Sequence, residues 1–575
     1  MLSYRKLAMR VLGRPLHTGG GIDSPRPASQ RAAAFILTAA MLTTLTAPAF
    51  AGTWDIKNGN ITISAGKSEG TNTVSQGTTI DEVDTGTIIT GTSDENTVTI
   101  DTSEGNVDVT FDGLNIDASS TGSAAVSVTG KGDTNIELDG SNKLQSGRDH
   151  AGLEHNQTDT SGKLTIQDDK DEAGSLDATG GRGGAGIGGG MNKDGQATIT
   201  GGTITANGGK LASGIGGGAG SRIGKIIGSG DVEITGGTIT ATGNSGGAGI
   251  GGGLSGDGNV RISGGTIISA VSDGSNPDDY GGAGIGGGHG GSGHVTITGD
   301  ATVKEAQGFG GGAGIGSGVY GPIGDVEISG NANVERAIGS DLGAGIGAGY
   351  GESGFPNVGK VTIKDNAKIG LAKGGAGAAG IGGGYYYSYD DDDSTSGVGD
   401  VTIEGNTTVN AVGGEGAAGI GGGVNAITVG SDDGNKITIR SNEAGTPTVN
   451  ATGGAALTDE YGNKAGPGGA GIGSGASDAK ANITLEGKVT IAAKGGDGNA
   501  AIGDKNGEQE FNGLAEGSSI TRYDSVGNEI TLPTDPGYPV PADTSSSGSG
   551  SADASVQESV FPGLVVTDKD GQRIS

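Results

Sequence analysis

Short stretches in which apolar and polar residues alternate recur along most of this chain. They include ATI at 197–199, VEI at 232–234, VRI at 260–262, VTI at 295–297, VEI at 326–328, VTI at 361–363 and VTI at 401–403. Alternation with a period of two is typical of a β-strand with one buried face, so Val and Ile are predicted to point inward. A glycine turn and a second alternating strand, such as GTITA at 237–241, often follow.

A third apolar element, close to GGAGIGGG, returns at a nearly regular interval. Its copies are centred on Ile187, Ile215, Ile250, Ile285, Ile315, Ile346, Ile381, Ile420 and Ile472, with a decayed copy at Ile502. The step from Ile250 to Ile285 is 35 residues. A repeat of this length indicates stacked structural units rather than one globular core. The Ala and Ile of the element are predicted to point inward, with glycine facing outward or turning the corner.

Three short strands that return to the same starting point predict one coil of a parallel β-helix. We therefore expect an all-β, single-stranded parallel β-helix (a β-solenoid) with one coil per 30–35-residue repeat. Adjacent coils would lie about 4.8 Å apart. Ordering the backbone costs about 1–2 kcal/mol per residue, more than the few small side chains of one coil offset, so only a stack is stable.

The changes in pattern divide the chain into four segments. Residues 1–51 read as a signal peptide, because a basic lead and an apolar run at 32–45 precede the small residues Ala49 and Ala51. Residues 52–157 are predicted to form an N-terminal cap and opening coils, and 158–510 the GGAGIGGG-repeat solenoid. Residues 511–575 read as a Pro/Ser/Gly-rich linker and tail. The protein is thus expected to be secreted, with no membrane span after signal cleavage.

Composition narrows the function classes. The net charge of −31 argues against a nucleic-acid partner and leaves cations or positively charged surfaces as possible partners. The absence of cysteine excludes disulfides and thiolate metal sites. The chain has 128 glycines among its 575 residues and only 3% aromatics, so a local cluster of aromatics stands out.

Two enzyme-like motifs are better explained by the repeat. GAGIGG at 184–189 matches a dinucleotide fingerprint, but the pattern recurs throughout and leads into loops rather than a helix. Asp168 and Asp169 with GHG at 288–290 resemble catalytic groups of polygalacturonases. About 120 residues separate them, whereas paired catalytic groups must lie within about 5–10 Å. The chain is therefore not expected to be an enzyme.

The loops that follow successive GGAGIGGG copies are the predicted binding edge. They carry a cluster of aromatics, with His289 and His294 from the preceding coil; the predicted ligand-binding residues are Tyr320, Tyr350, Phe355, Tyr385, Tyr386, Tyr387 and Tyr389. Stacked exposed aromatics suit sugar rings or a partner protein. The alternative is that these rings only cover the flank of the solenoid.

The same edge continues into an acidic run. Asp390, Asp391, Asp392 and Asp393, with Asp400 nearby, are candidate oxygen ligands for Ca²⁺. Acidic runs are often simply solvated, so both interpretations stay open.

The strand pattern VxIxGGTIxA combined with GGAGIGGG resembles that of bacterial secreted repeat proteins of the pectin-lyase-like β-helix type. The resemblance implies a surface adhesin or carbohydrate-binding protein. We expect a non-catalytic extracellular scaffold whose partner is a glycan or a surface protein. The alternatives are a polysaccharide-active β-helix enzyme (lyase or glycoside hydrolase type) and a structural matrix protein that self-associates through a flat glycine face.

Overall fold

A computed structural model describes residues 52–536 except 170–172, 221–226, 275–280, 323, 353–358, 388–399, 426–435, 459–461 and 477–480. These described residues form one compact unit that ends at Pro536. Its regular structure is almost entirely β-strand, with one short 3-10 helix, Ile56–Asn58, within the described part. The described residues contain no helix with the length and apolar character that a membrane crossing requires.

Each coil of the repeat region contributes three strands, here called strand 1, strand 2 and strand 3. Strand 1 is, in successive coils, Leu164–Gln167, Gly195–Ile199, Gly230–Ile234, Gly258–Ile262, Gly293–Ile297, Val326–Ile328, Lys360–Ile363, Asp400–Glu404, Lys436–Arg440 and Asn482–Glu486. Strand 2 is Ser175–Thr179, Thr203–Asn207, Thr238–Asn244, Thr266–Asp273, Thr302–Val303 with Ala306–Gln307, Asn333–Val334 with Ala337–Ile338, Lys368–Lys373, Thr408–Val412, Thr448–Thr452, Thr490–Lys494 and Ser519–Tyr523. Strand 3 is Leu153–His155, Ile187–Gly188, Ile215–Gly216, Ile250–Gly251, Ile285–Gly286, Ile315–Gly316, Ile346–Gly347, Ile381–Gly382, Ile420–Gly421, Ile472–Gly473 and Ile502–Asp504.

The remaining strands form the opening region, the flank and the C-terminal end. The opening strands are Thr53–Asp55, Ile61–Ala65, Asn72–Gln76, Thr79–Asp84, Thr87–Ser93, Val98–Thr102, Val107–Asp117, Val126–Gly130, Thr134–Asp139 and Ser141–Gln145. The others are Gly351–Glu352, Tyr386–Tyr387, Gly507–Glu508 and Glu529–Ile530.

Equivalent strands pair in parallel from one coil to the next, with equivalent residues in register. Val232 pairs with Val260 in strand 1, and Ile250 pairs with Ile285 in strand 3. The inward Val and Ile side chains of all three strands are buried in one continuous hydrophobic cluster. The predicted all-β parallel β-helix is confirmed, because identical side chains can stack only if each coil repeats the path of the last.

The GGAGIGGG element packs differently from the prediction. Its glycines are buried, because the backbone of neighbouring coils and of the following turn lies against them. Ala248 illustrates this: its amide donates to the carbonyl of Gly252, and the side chain is buried yet lies outside the main hydrophobic cluster. Gly286 has φ +132°, and a Cβ there would overlap the carbonyl oxygen of Gly316 in the next coil. The glycines therefore permit close coil contact, and those of the described residues form no open glycine face.

Antiparallel strands cover the N-terminal end. Ile61–Ala65 pairs with Asn72–Gln76, which in turn pairs with Thr79–Asp84. The Trp54 indole donates to the buried Asp84 carboxylate at 2.8 Å, and the Gly52 amide donates to the same group at 3.0 Å. These contacts hold the first strand over the hydrophobic cluster, as expected for a cap on an open sheet end.

Strand 3 begins with a variant rung in which Glu154, His155 and Asn156 follow Leu153. Leu153 pairs with Ile187, so these side chains stand where later coils have three glycines. Glu154 accepts from the Ala151 amide at 3.1 Å and contacts His150 Nδ1 at 2.8 Å. The neighbouring His155 lies 3.1 Å from the Gln196 carbonyl, and burial lowers the pKa of this imidazole below its usual value.

The C-terminal end extends past residue 510, the predicted limit of the solenoid. Ser519–Tyr523 adds a further strand 2, in which Arg522 occupies the inward position held by Ala493 in the preceding coil. Arg522 is 0% exposed; it donates to both Asp535 oxygens and to Glu508 at 2.7 Å. Glu508 also accepts from the Ala501 and Ile502 amides of the last strand 3. This network replaces the apolar pattern, which explains why the repeat fades in the sequence.

An aromatic flank as the candidate functional site

In successive coils we compare the fourth residue after the strand 3 isoleucine, and we call this place the outer corner position. It holds Met191, Ala219, Leu254, His289, Val319, Tyr350, Tyr385, Val424 and Ala476. Its amide bonds back to the corner before strand 3 in the preceding coil, as in Tyr350 to Gly311 (2.8 Å) and Tyr385 to Leu342 (2.9 Å). Leu254, Val319 and Val424 are buried there, whereas Tyr350 and Tyr385 are half-buried. Exposure at this position therefore varies from coil to coil, from the buried Leu and Val to the half-buried tyrosines and to Met191, which is 42% exposed.

The aromatic rings of neighbouring coils contact one another. The Tyr320 and Tyr350 centroids lie 5.3 Å apart, and those of Tyr350 and Tyr385 lie 6.0 Å apart. Tyr320 comes from the residue after the outer corner position, with φ +59°, and His289 meets its ring edge-on at 5.4 Å. Such spacings are typical of attractive aromatic pairs. The predicted alignment of these rings on one edge is thus present, as a continuous ladder across coils.

A small parallel pairing extends this ladder outward. Gly351 pairs with Tyr386 and Glu352 with Tyr387, apart from the main sheets. Tyr386 is only 2% exposed, so in this structure its ring is not available to a ligand, although the sequence placed it among the binding residues. Tyr387 is 43% exposed. We call Tyr320, Tyr350, Tyr385 and Tyr387 the aromatic flank.

Several predicted residues lie elsewhere. Phe355 and Tyr389 are outside the described residues, and so are Asp390, Asp391, Asp392 and Asp393. His294 was expected beside His289, but it is an exposed residue of strand 1, paired with Asn259. The two histidines differ because His294 belongs to the alternating strand that follows the corner.

Asp400, the remaining predicted calcium ligand, begins a strand 1. It pairs with Lys360, and a shallow groove on this face brings it beside Lys436 as well. Two ammonium groups on the neighbouring rungs disfavour a divalent cation at Asp400. Among the described residues, no group of three or more His, Asp or Glu side chains is arranged to hold a metal ion. Calcium binding by the acidic run stays a prediction.

Three acidic residues lie in segments next to the aromatic flank, and the sequence analysis missed them. Glu352 pairs in register with Tyr387. Asp341 precedes Leu342, whose carbonyl accepts the Tyr385 amide. The Glu415 carbonyl accepts from Gly377 at 3.0 Å, and a Cβ at Gly377 would contact the Tyr385 ring. Asp341 and Glu415 lie in the corner before strand 3, which is next to the outer corner position of the neighbouring coil. The position of these residues in the repeat could therefore have indicated that they lie near the tyrosines.

The polygalacturonase-like residues are far apart in the fold. Asp168 and Asp169 follow the strand Leu164–Gln167, and His289 precedes Gly293–Ile297. Three strands stand between these two in the stack, which places the groups roughly 15–19 Å apart along the axis. His289 is also buried beneath Tyr320.

A family model described as a beta helix repeat matches residues 198–219, 232–254, 260–289, 295–319, 326–350 and 401–424. Each matched segment begins in strand 1 and ends at an outer corner position, so the matched unit is the coil seen in the structure. The match supports a parallel β-helix repeat domain. Searches of curated proteins and of solved structures found no match for the chain.

Proposed function

We propose that this protein is a secreted, non-catalytic β-helix scaffold that binds an extracellular glycan or a surface protein through the aromatic flank. The supporting observation is the change at the outer corner position. Buried Leu and Val side chains there give way to half-buried tyrosines, whose rings contact one another across neighbouring coils. Local departures from a structural rule are the expected places for function.

The rigidity of the scaffold suits such a role. Neighbouring rings are held by backbone bonds between coils, so the flank is organised before any ligand arrives. Pre-organisation lowers the entropic cost of binding. Residues 1–51, the predicted signal peptide, agree with an extracellular role but lie outside the described residues.

Binding of the full mature chain to a glycan array and to intact cells tests the proposal. The double variant Tyr385→Ala with Tyr387→Ala should lose at least tenfold in affinity, because aromatic contacts often dominate an interface. Met191→Ala is the matched control, since Met191 is 42% exposed at the same outer corner position of a coil that lacks tyrosine. Retained binding in the double variant would refute the role of the flank.

The same preparations decide whether the scaffold is catalytic. They are incubated with a panel of polysaccharides, and soluble products are measured. Release of products that does not depend on Tyr385 and Tyr387 would favour the polysaccharide-active alternative. Concentration-dependent light scattering by the unliganded chain would favour self-association.

A further inference from the structure

The part of the chain that carries Tyr385 and Tyr387 contains no basic residue over a long stretch. No Lys or Arg occurs between Lys373 and Lys436, whereas nine Asp and Glu residues do. Between Arg336 and Lys373 the basic residues are Lys360, Lys364 and Lys368, all of them in or beside strands 1 and 2. The sequence around Tyr385 and Tyr387 is therefore acidic, and the nearest basic residue along the chain is Lys373, at the end of the strand Lys368–Lys373.

Three acidic residues belong to the segments that lie next to Tyr385 and Tyr387. Glu352 sits beside Tyr387 through the small parallel pairing. Asp341 and Glu415 are exposed residues of the corners that contact the Tyr385 backbone and ring. Tyrosine faces attract cations, and carboxylates form charge-assisted hydrogen bonds with ammonium and guanidinium groups.

The charged groove on strand 1 lacks this one-sided character. Lys360, Asp400 and Lys436 alternate in sign on successive rungs, and Arg440 pairs with Glu404 at 2.6 Å. Its charges are largely neutralised within the fold.

We propose that the partner of the aromatic flank is a Lys/Arg-rich segment of a surface protein. Its cationic side chains lie on the rings of Tyr385 and Tyr387, and the carboxylates of Asp341, Glu352 and Glu415 bind them from the sides. This inference rests on the proposed binding role and specifies the partner. Charge complementarity carries it, since complementary potentials select partners and speed their encounter.

Binding of the full chain to a fluorescent hexalysine peptide tests the inference, with the Nε-acetylated peptide as the uncharged probe. Hexalysine should bind, and acetylation should reduce affinity at least tenfold. Glu352→Gln and Tyr385→Leu should each weaken hexalysine binding about 3- to 10-fold. Tyr385→Phe should retain it, because the ring is preserved. Thermal unfolding of each variant shows whether the fold is intact.

A net charge of −31 attracts any polycation, so the control must carry the same charge change. Glu335→Gln serves this purpose: Glu335 is exposed beside strand 2 in the coil of Tyr350, away from the flank. Equal weakening by Glu335→Gln and Glu352→Gln would overturn the inference. Tyrosine-dependent binding of a neutral glycan without hexalysine binding would overturn it while leaving the proposed function standing. Binding of neither probe would contradict both.

Discussion

The strand 3 isoleucines and the outer corner residues belong to the same repeat but obey different rules. Isoleucine recurs at every strand 3 position from Ile187 to Ile502, and all these side chains are fully buried. A few residues later, the outer corner position holds Met, Ala, Leu, His, Val or Tyr. The column of strand 3 isoleucines, which we call the inner column, lies within the hydrophobic cluster, whereas the outer corner residues lie outside that cluster. Residue type therefore varies more at the outer corner position than at the strand 3 isoleucine.

The largest expected effect on the unfolding free energy comes from changing a glycine next to a strand 3 isoleucine. Gly286→Ala places a Cβ against the Gly316 carbonyl at φ +132°, so we expect a loss of at least about 3 kcal/mol in unfolding free energy. Urea denaturation followed by circular dichroism measures it. Gly290→Asn is the control, at the residue after the outer corner position. Gly290 has φ +81°, and the nearest atom to an added Cβ is 3.8 Å away. Asn192 adopts φ +60° at the equivalent place, so Gly290→Asn should be nearly neutral; equal losses would contradict the distinction.

Truncation of a side chain should also lower the unfolding free energy more at a strand 3 isoleucine than at an outer corner residue, but the difference should be smaller. Ile315→Ala should cost about 2–5 kcal/mol, because it opens a cavity in the hydrophobic cluster. Val319→Ala, four residues later in the same coil, should cost about 1 kcal/mol, since Val319 packs on the flank outside that cluster. The same denaturation experiment compares them. If Val319→Ala were as costly as Ile315→Ala, the flank would be as tightly constrained as the core.

Low pH should destabilise the fold through His155, in the strand Leu153–His155. Burial lowers the pKa of His155 below 6.5, so the folded protein keeps this imidazole neutral while the unfolded chain binds a proton. The unfolding free energy should therefore fall as the pH drops below about 6.5. His155→Gln should flatten this dependence, and the exposed-site control His294→Gln should not. An unchanged pH profile in His155→Gln would show that another group is responsible.

The smallest expected effect on stability comes from the aromatic flank. Tyr350→Leu restores the type of residue seen at Leu254 and should cost only about 1 kcal/mol, through the lost ring contacts with Tyr320 and Tyr385. Ligand binding should nevertheless fall. A large decrease in the unfolding free energy with unchanged ligand binding would mean that the tyrosines only cover the solenoid.

Much of the fold could be predicted because the repeat reports the same environment many times. Alternation at 232–234 and 260–262 indicated inward Val and Ile, and the structure stacks them in register. The glycines were predicted to face outward or to turn the corner; their burial depends on contacts with neighbouring coils, which the sequence does not show. Arg522 was also missed, since a buried guanidinium has no periodic signal and depends on Asp535 and Glu508.

The candidate site was predictable only in part. The tyrosines were singled out because aromatics are rare in this chain, and the coil period aligned Tyr350 with Tyr385. Which rings are exposed could not be predicted: Tyr386 and Tyr387 are adjacent in sequence, but strand geometry turns them to opposite sides. Asp341 and Glu352 belong to the coil of Tyr350 and Glu415 to a later coil, so no local motif contains all three.

The sequence by itself determined the architecture, because alternating Val and Ile with glycine at a 30–35-residue period can be buried only by stacking parallel coils. Tertiary structure decided what the stack presents to a partner. Residues about 35 positions apart become neighbours when coils lie about 4.8 Å apart, so the aromatic flank and its carboxylates exist only in the folded stack. Burial then separated the tyrosines that pack from the one that faces solvent.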